Sequence, residues 1–100
     1  MDAVVQEERP ELTMRDRLNR YEAAEDTIGF MMAMRTKAIR DEQEKAEPDA
    51  ARIAQWSIEF DRLADEQDNL RLDDDAAIQR VFDEYSPIVK ANFERARAVA

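Results

Sequence analysis

Apolar positions recur along this chain at steps of three and four, the repeat that lines up side chains on one face of a helix. The first stripe runs Met14, Leu18, Tyr21, Ala24, Ile28, Met31, Met32, Ala38 and Ile39. Thr13 is a good N-cap for it, with Asp16 three positions on as an imperfect capping box. Pro48 disfavours the α conformation at Glu47, so the pattern predicts a helix from Met14 to about Ala46.

The chain restarts at "EPDAARIAQW", with Pro48 or Asp49 near a helix N-terminus, where both are favoured. A second, more regular stripe follows: Ile53, Trp56, Phe60, Leu63, Gln67 and Leu70. Its alternating steps are those of a helix packed nearly antiparallel to a neighbour. The three aspartates at 73–75 supply the next cap. The third stripe is Ile78, Val81, Phe82, Tyr85, Ile88, Val89, Phe93 and Ala96. Pro87 lies inside it without shifting its phase. Either one kinked helix or a break with Ser86 capping a fourth helix fits, and the continuous stripe favours the kink. The expected fold is all-α: a three-helix bundle with a long first helix, or four helices if Pro87 breaks the last. Residues 1–12 read as a flexible polar arm and 13–100 as one helical domain.

"IGFMMAMR", residues 28–35, departs from a single stripe. On a wheel centred on Ile28, Tyr21, Met32 and Ile39 lie within about 40°, and Met31 within about 60°. Phe30 and Met34 fall roughly opposite, near Ala23 and Thr27. The first helix thus has a long face for the other two helices and a short second face, Ala23–Thr27–Phe30–Met34. A first helix of about 33 residues would span about 50 Å, against about 33 Å for the second. The overhang leaves apolar surface without a partner, so a two-fold homodimer pairing the second faces is the economical expectation. Gly29 would let two backbones approach. The alternatives are that the third helix folds back over this face, or that the methionines form a plastic ligand surface.

Composition narrows the chemistry. One glycine, three prolines and few β-branched residues leave room for helices and little else. With no cysteine and no histidine, disulfides, thiolate metal sites, Glu-x-x-His di-iron sites and a Ser-His-Asp triad at Ser57 or Ser86 are impossible. One glycine cannot build a phosphate-binding loop, and "DNLRLDDD" lacks the glycine and ligand order of a calcium loop. No cofactor is expected. The segment "MDAVVQEERPE" has neither the basic start nor the apolar core of a secretory signal, and the longest apolar run, 28–34, is too short to span a bilayer. A cytoplasmic location is the expectation.

Charge is unevenly placed. Net charge is −9, from 24 acidic and 15 basic residues. Residues 1–40 carry 8 acidic and 7 basic residues, 41–75 carry 13 and 4, and 76–100 carry 3 and 4. The imbalance therefore sits on the second helix and its flanking loops. Such a chain is expected to repel nucleic acid and anionic membrane, since Lys and Arg supply the sequence-independent affinity for phosphate. Arg15, Arg17 and Arg20, and Arg95 with Arg97, lack interleaved aromatics and suit helix-face pairing and a helix C-terminus.

With Phe60 turned to the core, Asp61, Asp65 and Asp68 align on one flank of the second helix, about 4.5 to 6 Å apart along its axis. Ile58 lies close to Asp61 and Asp65. An exposed isoleucine in an acidic field suits a partner with a basic rim. Carboxylates at this spacing on a rigid rod resemble a nucleic-acid backbone. The expectation is a non-enzymatic binding module: a small acidic inhibitor or regulator of a basic, nucleic-acid-binding partner, as phages and mobile elements encode against host defences. The plain alternative is a solvated acidic face that keeps the chain soluble. Glu22–Glu25, Glu44–Glu47 and Asp65–Asp68 have the spacing of magnesium-binding carboxylate pairs in helical nucleotide pyrophosphohydrolases. A chain this acidic shows several such pairs by chance, so that enzyme is the runner-up, beside a structural assembly subunit.

Overall fold

Helix α1, Met14–Gln43, starts with a complete capping box: Thr13 Oγ1 accepts the Asp16 amide at 3.0 Å, and the Thr13 amide donates to Asp16 Oδ2 at 3.3 Å. Aspartate is shorter than the usual Glu or Gln at this position, yet it closes the ring. The computed structural model describes residues 12–99. Leu12 apart, the arm expected at the N-terminus lies outside the described residues.

α1 ends three residues before the expected Ala46, and a single side chain accounts for it. Glu42, only 4% exposed, turns its carboxylate under the connection that follows. Its Oε2 accepts the Asp49 amide at 2.9 Å, and its Oε1 pairs with Lys45 Nζ at 3.0 Å. The backbone then turns at once, with the Lys45 amide bonded to the Glu42 carbonyl. These bonds to the ionised form hold the Glu42 carboxyl below its ordinary range, the Asp49 amide contributing most and the Lys45 ammonium next.

Helix α2, Ala50–Asn69, is capped by Asp49, whose Oδ1 accepts the amides of Ala51 and Arg52. Helix α3, Asp75–Val99, starts on Asp74, whose carboxylate accepts the Ala77 amide at 3.0 Å. α3 passes Pro87 as one helix, so no separate helix starts at Ser86. Pro87 is exposed and Ser86 is half-buried within the helix, so Ser86 caps nothing. Proline removes only one backbone bond, to the Asp83 carbonyl, and the apolar contacts on either side keep the helix in phase. The fold is an all-α three-helix bundle, and no described residue lies in a strand. None of the helices is long and apolar enough to cross a membrane.

α1 is the shared support. α2 runs antiparallel along one of its flanks, placed by Gln67 Nε2 donating to the Glu25 carbonyl at 3.0 Å and by an Arg35–Glu59 pair at 2.9 Å. α3 runs parallel along the other flank, placed by Arg20 donating to Gln79 at 2.8 Å and by the Phe30–Phe93 ring pair. Both pack on α1, whereas no Cα atoms of α2 and α3 come within 8 Å of each other. This explains the apolar excess of residues 28–34. A helix holding two neighbours side by side must be apolar over a wider arc than one stripe.

The core sits near the α2–α3 connection. Ala24 and Ile28 of α1 meet Leu63 and Leu70 of the α2 end and Ile78 and Val81 of α3, with Tyr21, Met31, Met32 and Phe82 closing the edges. Burying each of the larger aliphatic side chains stabilises the fold by about 1.5–3 kcal/mol. The Tyr21 hydroxyl donates to the Leu70 carbonyl at 3.4 Å, tying the start of the connection to α1. Gly29 lies against α2, where an added Cβ would stand 3.6 Å from Gln67 Nε2. It therefore serves no approach on the second face of α1.

Candidate functional site

α2 carries five acidic side chains after its first two turns, and the fold divides them. Glu59 and Glu66 turn inward. Glu59 pairs with Arg35 and accepts Gln55 Nε2 at 3.1 Å; the Gln55 bond first, then Arg35, holds its carboxyl below the ordinary range. Glu66 accepts the Tyr85 hydroxyl at 2.6 Å and lies 3.5 Å from Arg80, so it fastens α2 to α3. Burial, and then the Glu66 carboxylate, push the Tyr85 phenol up to about 12.

Asp61, Asp65 and Asp68 turn outward. All three are exposed and none forms an ion pair with a described residue. Helical spacing puts them, with Ile58, on the side of α2 opposite the buried Leu63. Ile58 is 46% exposed, one turn before Asp61, with the exposed Arg62 four residues on. Asp61 also borders a groove of about 330 Å³ lined by Thr36, Arg40 and Phe60. The ridge is held from its other side, where α2 is fixed on α1, and no described arginine of α1 or α2 is paired with it.

On the second face of α1, Ala23 is exposed, and Thr27, half-buried, donates its hydroxyl to the Ala23 carbonyl at 2.8 Å. Phe30 meets Phe93 of α3 edge to face, centroids 5.3 Å apart at 82°. Met34 lines a groove of about 450 Å³ with Val89, Asn92 and Phe93. α3 therefore lies across part of this face within the same chain, while Phe30 and Phe93 keep 46% and 47% of their surfaces exposed. Phe93 belongs to the third apolar stripe, and the spacing alone did not reveal that it ends half-exposed beside Phe30.

The carboxylate pairs considered for magnesium lie apart: Glu22 and Glu25 on the first half of α1, Glu44 and Glu47 at and after its end, Asp65 and Asp68 on the outer side of α2. Among the described residues no group of three or more carboxylates converges as a metal site. Of the arginines at the start of α1, Arg20 is engaged inside the fold, its guanidinium 5.6 Å from the centre of the Phe82 ring.

An all-α three-helix bundle with one acidic ridge, unpaired among the described residues, is what the geometry defines. No protein-family model matches the chain, and no curated protein or solved structure is significantly similar to it.

Proposed function

We propose that this protein is a non-enzymatic binding module whose α2 ridge occupies a basic, nucleic-acid-binding groove on another protein and inhibits or regulates it. The observation that carries the reading is the division of acids on α2. The inward pair is engaged by Arg35, Arg80 and Tyr85, whereas the outward three have no ion-pair partner among the described residues and follow an exposed isoleucine on the same side of the helix. Like charges held along one edge of a helix repel, a standing cost that a cationic partner relieves. Ile58 supplies the apolar anchor that a purely ionic contact lacks.

The test uses wild type and an Asp61→Lys/Asp65→Lys/Asp68→Lys variant, shown by circular dichroism to stay helical, as baits in nuclease-treated lysate. A captured basic protein is then purified and titrated on its own nucleic acid. Wild type is expected to displace the nucleic acid, and the triple variant to bind the protein at least about tenfold more weakly. Equal capture and equal affinity for both baits would reduce the ridge to a solvated surface.

A further inference from the structure

The aromatic pair on the other side of the molecule has a rim opposite in sign to the ridge. A groove of about 750 Å³ beside Phe30 and Phe93 is lined by Lys90 and Arg97, and Arg95 borders the groove on the far side of the rings. None of these three cations forms an ion pair with a described residue. Glu94 is the one carboxylate in the first groove. Two half-exposed phenylalanines with cations unpaired among the described residues around them suit a partner that offers an apolar side chain next to carboxylates. Ile58, with Asp61 one turn on and Asp65 a turn beyond it, offers an apolar side chain followed by carboxylates, and it belongs to the same chain.

We infer that the Phe30–Phe93 face docks the α2 ridge of a second copy, head to tail. Spacing supports the pairing. With Ile58 seated against Phe93, Asp61 lies about 4.5 Å further along α2, and Lys90 and Arg97 stand about 4.5 and 6 Å to either side of Phe93 along α3. One of the two cations is then about level with Asp61 along the axis whichever way the helices run. A two-fold dimer joining two copies of the aromatic face would instead set Lys90, Arg95 and Arg97 of one copy against those of the other, a like-charge arrangement. The pairing uses the same ridge as the proposed function, and so rests on that reading. Self-association hides the ridge, and a basic partner must compete with it.

The test separates the two surfaces. One variant blocks the ridge (Ile58→Asp with Asp61→Lys), the other blocks the face (Phe93→Ala with Lys90→Glu and Arg97→Glu), and circular dichroism confirms that both remain helical. By sedimentation equilibrium, wild type is expected to show a mass that rises with concentration. Each variant alone should associate at least about tenfold more weakly. An equimolar mixture should regain association, because one variant contributes an intact face and the other an intact ridge. A wild type that stays monomeric overturns the pairing, as does a dimer that survives in the ridge variant. The face variant keeps Ile58, Asp61, Asp65 and Asp68, so its capture of a basic partner reports on the proposed function independently.

Discussion

Val81 and Ile88 stand seven residues apart on α3, which puts them on almost the same line along the helix. Val81 is fully buried; Ile88 is 44% exposed. The difference lies in α2. At Val81 the connection Leu70–Asp74 holds α2 and α3 together, and Leu63 and Leu70 fill the space between them. At Ile88 the two helices have separated, leaving a cleft of about 320 Å³ floored by Met31 and Arg35. An apolar stripe states which way a helix faces, whereas burial depends on whether a second neighbour arrives at that level.

The largest effect that tests this contrast comes from a matched pair on one helix. Ile78→Ala should cost about 2–5 kcal/mol in urea unfolding, since Ile78 is buried where all three helices meet. Ile88→Ala should cost less than about 1 kcal/mol. Equal losses would mean that the α2–α3 cleft closes in solution.

The clasp that limits the cleft comes next. Tyr85→Phe removes the bond to Glu66 and should cost about 1–2 kcal/mol. The folded phenol titrates near 12 and the unfolded one near 10. Between those values the folded state keeps a proton that the unfolded state has lost. Stability from this group is therefore complete below pH 10 and is lost as pH rises towards 12. An alkaline ultraviolet titration should show the late-ionising tyrosine, and Tyr85→Phe should remove it.

Gly29→Ala should act in the opposite direction. The new methyl meets Gln67 at an ordinary contact distance, and alanine is the better helix former, so a gain of about 0.5–1 kcal/mol is expected in the same urea assay. A loss would place the α1–α2 packing closer than it stands here. The narrowest effect is confined to acid. With the Glu42 carboxyl held below its ordinary 4.5, the stability it contributes is present above that pH and falls as pH drops through the folded value. Glu42→Gln should flatten the acid limb of a plot of Tm against pH, and an unchanged limb would remove Glu42 from the connection.

The three helices, the Thr13 cap, a helix start at Pro48 or Asp49 and the outward side of α2 were legible in the residues, because each rests on local spacing. Asp61, Asp65 and Asp68 share a side with Ile58 on any helix of this register. The early stop of α1 was not legible, since it depends on where Glu42 meets the Asp49 amide after the chain has turned. Nor was the position of Gly29 against Gln67, or the meeting of Phe30 with Phe93. Both require knowing that α2 and α3 take opposite flanks of α1, a matter of docking angle that no period reports. Pro87 is the intermediate case: the unbroken stripe argued for one helix, and one helix is what forms.

Because α2 and α3 each dock on α1 and never approach one another in backbone, the molecule has a built-in order of assembly. α1 and α2 are joined by six residues and form an antiparallel pair whose contacts are near in sequence. α3 follows by a short connection beside the start of α1, but its contacts with α1, such as Arg20 with Gln79, span more of the chain, a longer loop to close and an entropic delay. Folding should therefore pass through a transition state in which the α1–α2 hairpin is consolidated and α3 is still loose. Substitutions at the α1–α2 seam would then slow folding, and those at Ile78 or Val89 would mainly hasten unfolding.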